Sequence, residues 1–276
     1  MGSPPGSVVP PGEGPHDGWM RRRIGFSLAM ILVLGSCTTV GSGERASAPR
    51  ATPFVVGPDP SVGTVPLPAP LPEGVTFAAI PAARYVPMFE EAGAEQPAFV
   101  FGTKNWSGSR APLLVLEDRV DDVGTRWLRV QLPVRPNGRS AWIRDEDVRR
   151  LVERRDRIVV DLSSRTLRYF REGELVNELR VGIGSMATPT ATGTFSLWVK
   201  VGYDDPSGPY GTLALGLSGF SPVLKDWPGG GRLAIHGTDD PSDRGRQVSH
   251  GCIRVYNPEL RLLRDVRLGT PVTIKR

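Results

Sequence analysis

Glycine and proline interrupt this chain so often that it is restricted to short regular elements. There are 33 glycines and 27 prolines in 276 residues, roughly a fifth of the chain against an average usage of about 12 %. Past residue 75 the apolar residues arrive in strand-length runs bounded by turn signals, such as Phe77-Ala78-Ala79-Ile80, Leu113-Leu114-Val115-Leu116 and Ile158-Val159-Val160-Asp161-Leu162. Runs of this length, rich in β-branched and aromatic residues, predict a mainly β protein. One helix is expected, over Pro258 to Val266, where proline opens the turn and Leu260, Leu263 and Val266 recur three apart.

The surplus is unevenly spread, with thirteen prolines falling before Val75. Residues 37–75 show neither a helical nor a strand period. They read as a Pro/Gly-rich linker that buries too little apolar surface to offset its ordering entropy. Fully extended, it reaches about 130 Å. Ahead of it, Met20-Arg21-Arg22-Arg23 precedes an apolar run from Ile24 to Leu34. That layout predicts a secretory signal over 20–36, too short for a permanent membrane helix. Its end, Leu34-Gly35-Ser36-Cys37, resembles a bacterial lipobox, which implies lipidation at Cys37 and attachment to the membrane by a lipid anchor. An ordinary signal peptide is the alternative. Residues 1–19 precede the charged start of the signal and read as a disordered extension or a misassigned start.

Two β-rich segments follow. In 76–152, Asn137-Gly138 marks a hairpin connection between Val134 and Trp142, because that pair accepts positive φ. The stretch Trp127 to Val148 resembles the end of bacterial SH3-like barrels. Trp106, Trp127 and Trp142 read as core filling, with an aromatic groove for peptide or glycan as the alternative. In 156–276, the strands Ile158–Leu162, Leu167–Phe170 and Leu175–Val181 predict an antiparallel meander.

Chemistry concentrates between His236 and Arg254. Two of the three histidines, His236 and His250, lie within 16 residues of Cys252. A cysteine attacks as its thiolate, and an imidazole within hydrogen-bond reach takes the proton near neutral pH. Gly251 lets a carbonyl approach closely, and the backbone N–H groups of Gly251 and Cys252 are candidates to stabilise an oxyanion. An inert buried cysteine and a zinc site are the competing readings. Two His and one Cys at this spacing are unlike a zinc finger, so no structural metal is expected; a catalytic zinc with Asp239 or Asp243 as fourth partner is the remaining alternative to reading those acids as part of a solvated loop.

His236-Gly237-Thr238 followed by Ser249-His250-Gly251-Cys252-Ile253-Arg254 resembles the signature of the bacterial L,D-transpeptidase catalytic domain. The turn Thr188-Pro189-Thr190-Ala191-Thr192-Gly193 resembles part of the same domain, and the resemblance spans 156–276. It implies a β-rich fold with Cys252 as nucleophile and His236 as base, oriented by the carbonyl of Gly237. By the same token Ser249, His250 and Gly251 shape the oxyanion site. Arg254 binds a substrate carboxylate or orders the site, and Tyr210 in Gly208-Pro209-Tyr210-Gly211 belongs to a lid that contacts donor peptide. The implied activity is 3→3 cross-linking of peptidoglycan stem peptides without a cofactor, with carbapenem-type inhibitors acylating Cys252. The alternatives are an L,D-carboxypeptidase, with water as acceptor, and a non-catalytic wall-binding lipoprotein.

A net charge of +5 permits attraction to anionic polymers without choosing among them. For an exported chain, nucleic acid is not an expected partner. Arg149-Arg150 and Arg154-Arg155, interrupted by acids, read as a solvated hinge between the two segments.

Overall fold

Strands pair in two main sheets, each opening and closing within one of the β-rich segments. The computed structural model describes residues 74–226 and 228–276; the leader at 20–36, Cys37 and the linker through residue 73 lie outside them. The first segment contains β1 (Thr76–Pro81), β2 (Tyr85–Met88), β3 (Phe99–Gly102), β4 (Leu113–Val120), β5 (Arg126–Gln131), β6 (Ser140–Arg144) and β7 (Val148–Arg154). Five of these form an antiparallel sheet in the order β6-β5-β4-β1-β7, and β2 pairs with β3 as a separate hairpin. Alternation along β1, β4 and β5 turns Phe77, Ala79, Leu113, Val115, Leu128 and Val130 into one core.

The second segment contains β8 (Arg157–Asp161), β9 (Thr166–Arg171), β10 (Glu174–Arg180), β11 (Ile183–Gly184), β12 (Gly193–Gly202), β13 (Leu213–Phe220), β14 (Arg232–Thr238), β15 (Gln247–Ser249), β16 (Ile253–Tyr256), α1 (Asn257–Leu260) and β17 (Pro271–Lys275). Eight of them make a mixed sheet, β10-β9-β8-β17-β12-β13-β14-β16, in which β8/β17 and β14/β16 are parallel. The expected meander is β8-β9-β10. Its core joins Ile158, Val160, Leu197, Leu215, Ile235 and Val255 with the residues around α1. Full burial of each such aliphatic side chain contributes about 1.5–3 kcal/mol.

The protein is mainly β, and two local expectations change. The helix is shorter than predicted: α1 has four residues and passes into a 3₁₀ turn over Arg261–Leu263. A spacing of three between Leu260, Leu263 and Val266 suits the 3.0-residue period of that tighter turn, and all three are buried. The arginine-rich stretch read as a solvated hinge is strand β7, paired along β1. As an edge strand it exposes Arg149 and Arg150. Arg154 is instead buried, donating from Nε and Nη2 to the Leu268 carbonyl at 3.1 and 2.9 Å.

That bond is one of several joining the two sheets. The Gln131 amide donates to the Thr194 carbonyl at 2.7 Å and accepts from Ser218 Oγ at 3.0 Å. Asn137 accepts the Phe220 N–H and donates to the Phe220 carbonyl, both at 2.8 Å. Arg135 reaches three carbonyls, those of Ser221, Leu224 and Gly230, each at 2.8 Å. Charge-assisted bonds of this kind exceed ordinary ones in strength. Arg135→Ala is therefore expected to cost about 2 kcal/mol, read as a lower urea midpoint. Arg135→Lys should recover little of it, because an ammonium lacks the planar fork.

Candidate active site

Two parallel strands set the site. In the register of β14 and β16, Ile235 faces Ile253 and His236 faces Arg254. Side chains alternate along each strand, so Leu233, Ile235, Ile253 and Val255 all enter the core. The residues between them, Ala234, His236, Cys252 and Arg254, occupy the other face. On β13, Ala214 pairs with His236 and Gly216 with Ala234. These small residues leave a cavity of about 320 Å³, lined by Cys252, His250, Tyr203, Tyr210, Ala214, Gly216 and Ala234 among others.

His236 is 4 % exposed, and its Nδ1 lies 2.9 Å from the Gly237 carbonyl. Only an N–H makes a bond to that oxygen, so the proton resides on Nδ1 and the Nε2 lone pair is free to act as base. Tyr210 packs edge-on against the imidazole at 5.3 Å between centroids, and Tyr203 stacks on Tyr210 at 5.5 Å. The loop carrying Tyr210 is held to β14: the Gly237 N–H donates to the Tyr210 carbonyl at 2.9 Å, and Asn257 donates to the Pro206 carbonyl at 2.8 Å. Both Gly211 and Gly237 need to be glycine here. An added Cβ on Gly211 would come within 2.6 Å of the Gly237 Cα, and on either residue it would collide with the Asn257 amide oxygen.

Cys252 lies at the end of a turn organised by Ser249. The Ser249 hydroxyl accepts from the Gly251 N–H at 3.1 Å and donates to the Cys252 carbonyl. The turn is tied in turn to the threonine-proline segment, with the Ser249 carbonyl accepting from Thr188 Oγ1 at 3.1 Å and from the Ser185 N–H at 2.9 Å. Of the two backbone donors expected at an oxyanion, that of Gly251 is therefore given to Ser249. His250 is exposed and borders the cavity beside the thiol.

Arg254 forms an ion pair with Asp243 at 3.1 Å, and Asp243 also accepts from Thr238 Oγ1 at 3.0 Å. Asp243 is buried, contrary to the solvated-loop reading, which holds for Asp239. A carboxylate leaves water readily only with such a charged partner and a second donor. Arg254 borders a second, smaller cavity of about 200 Å³ with Asp240 and Asp243, separate from the lining that Cys252 shares. Asp243, Asn257 and Gly211 were not legible as site residues, since each acts through a partner distant in the chain. Among the described residues no group of three or more His, Cys, Asp or Glu is arranged to hold a metal ion.

A family model for the L,D-transpeptidase catalytic domain, YkuD, matches residues 155–274. Residues 155–274 thus resemble the L,D-transpeptidase catalytic domain of the YkuD family. Two curated relatives, both described as putative L,D-transpeptidases YkuD, are similar over it. That of Bacillus licheniformis is 38 % identical over 119 residues, covering 43 % of this chain and 64 % of its own length. That of Bacillus subtilis is 33 % identical over 120 residues, covering 43 % and 65 %. The chain thus spans just under two thirds of the curated relatives it matches. A solved E. faecium L,D-transpeptidase catalytic domain acylated by ertapenem is 27 % identical, covering 43 % of this chain and 95 % of its own, with a TM-score of 0.33.

The electrostatics of the site follow from burial. Burial pushes the His236 imidazole down to about 4; the Gly237 hydrogen bond opposes this, and the Arg254 charge adds to it. Burial likewise pushes the Cys252 thiol up, against the pull of the Ala234 N–H and of Arg254. Resting thiol and imidazole are both neutral at pH 7. The unfolded chain binds a proton at histidine near 6.5, while the folded chain waits until about 4. Stability from this group is thus complete above about pH 6.5 and is lost as pH falls toward 4, by about 3 kcal/mol in all. Urea midpoints at pH 7 and 4.5 test this, with His236→Gln expected to lose measurably less on acidification than wild type.

Proposed function

We propose that this transpeptidase domain forms 3→3 cross-links in peptidoglycan through a thioester on Cys252. His236 Nε2 takes the thiol proton as sulfur attacks the carbonyl of the diamino acid at the third position of a tetrapeptide stem. The C–N bond to the terminal D-alanine breaks, and the amine leaves with the proton from His236. The side-chain amine of a neighbouring stem then attacks the thioester, gives up its proton to His236 and restores the thiol. The observation that carries this reading is the placement of His236 and Cys252, by strand alternation, on the same face of β14 and β16, with the thiol bordering a cavity whose Tyr210 packs against the Nδ1-protonated imidazole. With the Gly251 N–H committed to Ser249, the Cys252 N–H is the backbone donor in the turn assigned to the oxyanion.

A neutral pair suits acyl transfer inside a closed cleft. Proton transfer accompanies attack, so no ion pair has to be maintained in a desolvated site. Carbapenem-type inhibitors, which present a strained carbonyl, are expected to acylate the same sulfur. Purified protein with a disaccharide-tetrapeptide should yield cross-linked dimer and free D-alanine. Cys252→Ala should yield neither, and equal products from the two would sink the assignment. Intact mass after carbapenem treatment should show one adduct, lost in Cys252→Ala. Free tripeptide in place of dimer, with acceptor present, would identify a carboxypeptidase.

The same reading places the enzyme outside the cytoplasmic membrane, held by lipid on Cys37 with residues 37–75 as the tether. Stable anchoring needs the several chains that lipobox processing adds, because one chain binds only marginally. Cys37→Ser should move the protein from the membrane fraction to the soluble fraction, and continued tight retention would refute the anchor.

A further inference from the structure

Trp127 and Trp142 are 2 % and 6 % exposed and pack with Phe89 in a small cluster of their own, but Trp106 is 57 % exposed. That exposure does not come from a loose loop. Its turn between β3 and β4 is closed by the Asn105 N–H on the Ser109 carbonyl at 2.9 Å and by Asn105 Oδ1 accepting from the Ser107 N–H at 3.0 Å and its hydroxyl at 2.7 Å. The buried Asn105 amide then donates across to the Trp198 carbonyl of β12 at 3.1 Å. The turn is thus docked on the transpeptidase sheet. The indole stands edge-on to Trp198 at 5.4 Å, with the Arg232 guanidinium over its ring at 5.4 Å. At Gly229 a methyl group would come within 2.9 Å of it.

Held on those sides, the rest of the ring borders the cavity that Cys252, His250 and Tyr210 border. A concave site with an aromatic wall is where ligand contact is expected. The volume of about 320 Å³ is at the small end for ligand sites. It suits a short peptide segment, and the thiol at the same cavity requires that segment to be the acyl donor.

We infer that Trp106, supplied by the first β segment, is a specificity-determining contact for the donor stem, packing against the aliphatic part of the peptide whose carbonyl Cys252 attacks. The inference rests on the proposed cross-linking function. It gives the first segment a direct part in substrate selection, through a residue more than a hundred positions from the nucleophile in sequence.

The test uses full-length protein with tetrapeptide stem as donor and iodoacetamide as a small probe of the Cys252 thiol. Trp106→Ala is expected to lower kcat/KM for the tetrapeptide at least tenfold, chiefly through KM, because the contact is made in ground and transition states alike. Alkylation of Cys252 should stay within twofold of wild type, and Trp106→Phe should recover most of the lost kcat/KM. Tetrapeptide turnover by Trp106→Ala within twofold of wild type overturns the inference. So does an equal loss in alkylation, which would mean that Trp106 only supports the cysteine turn, and so does failure of Trp106→Phe to recover while its melting temperature matches wild type. Wild-type protein that forms no acyl-enzyme with the tetrapeptide refutes the cross-linking reading, and the inference with it.

Discussion

The parallel pairing of β14 with β16 is the constraint on which the site depends. Parallel strands cannot be joined by a tight hairpin, so the chain must leave β14, cross over and return. The segment that does this, from Asp239 to Cys252, carries the Asp243 that pairs with Arg254 and the Ser249 turn that presents the thiol. A one-residue slip would invert both faces. Ile235, Ile253 and Val255 would then meet the cavity, and His236 and Cys252 would meet the core. The aliphatic residues therefore hold the reactive pair in place as firmly as any hydrogen bond does, because burying them fixes the register.

The same burial determines the chemistry. In water a thiol beside an imidazole would exchange its proton near neutral pH, but here desolvation disfavours both charged forms and drives the two pKa values apart. The Gly237 carbonyl fixes the tautomer, and the Tyr210 edge holds the ring from the side. Arg254 contributes at a distance: its positive field lowers both pKa values, while its hydrogen bond is spent on Asp243. A cation committed in this way tunes the thiolate without competing for the sulfur. It also leaves less guanidinium for a substrate carboxylate, the role that the sequence resemblance implied.

Most strands were legible because glycine and proline mark their ends and alternation marks their faces. The His236 to Cys252 motif was legible because its residue types are rare in this chain and close together. Illegible features were those fixed by partners far away. β7 is hidden by arginines that an edge strand exposes, and nothing near Arg154 in sequence announces the Leu268 carbonyl that receives it. Asp243 resembles Asp239 in composition and spacing, yet Arg254 and Thr238 draw only Asp243 inside. Trp106 sits in the polar turn Asn105-Trp106-Ser107-Gly108, whereas Trp127 and Trp142 sit in the strands β5 and β6. What that turn does not announce is the approach of the second sheet, on which Asn105 docks it through the Trp198 carbonyl.

That approach alters what the first segment is for. A module joined by a flexible hinge would meet the second sheet only transiently. Here Arg135 passes its guanidinium into the 221–231 loop and binds three of its carbonyls, while Arg232 from β14 reaches back to the Pro133 carbonyl at 3.3 Å. Leu224, Gly229 and Gly231 of that loop border the cavity, so its rim is shaped by a side chain from the other sheet. Loosening the first segment would therefore open the cleft as well as weaken the fold. Arg232 also lies over Trp198 at 3.8 Å and Phe220 at 4.3 Å, aromatic residues of its own sheet. Burial, with the Arg135 charge of the first segment added, lowers its basicity to about 10. The cavity and the interface are thus one structure, in which the shape of the cavity and the stability of the pair of sheets depend on the same residues.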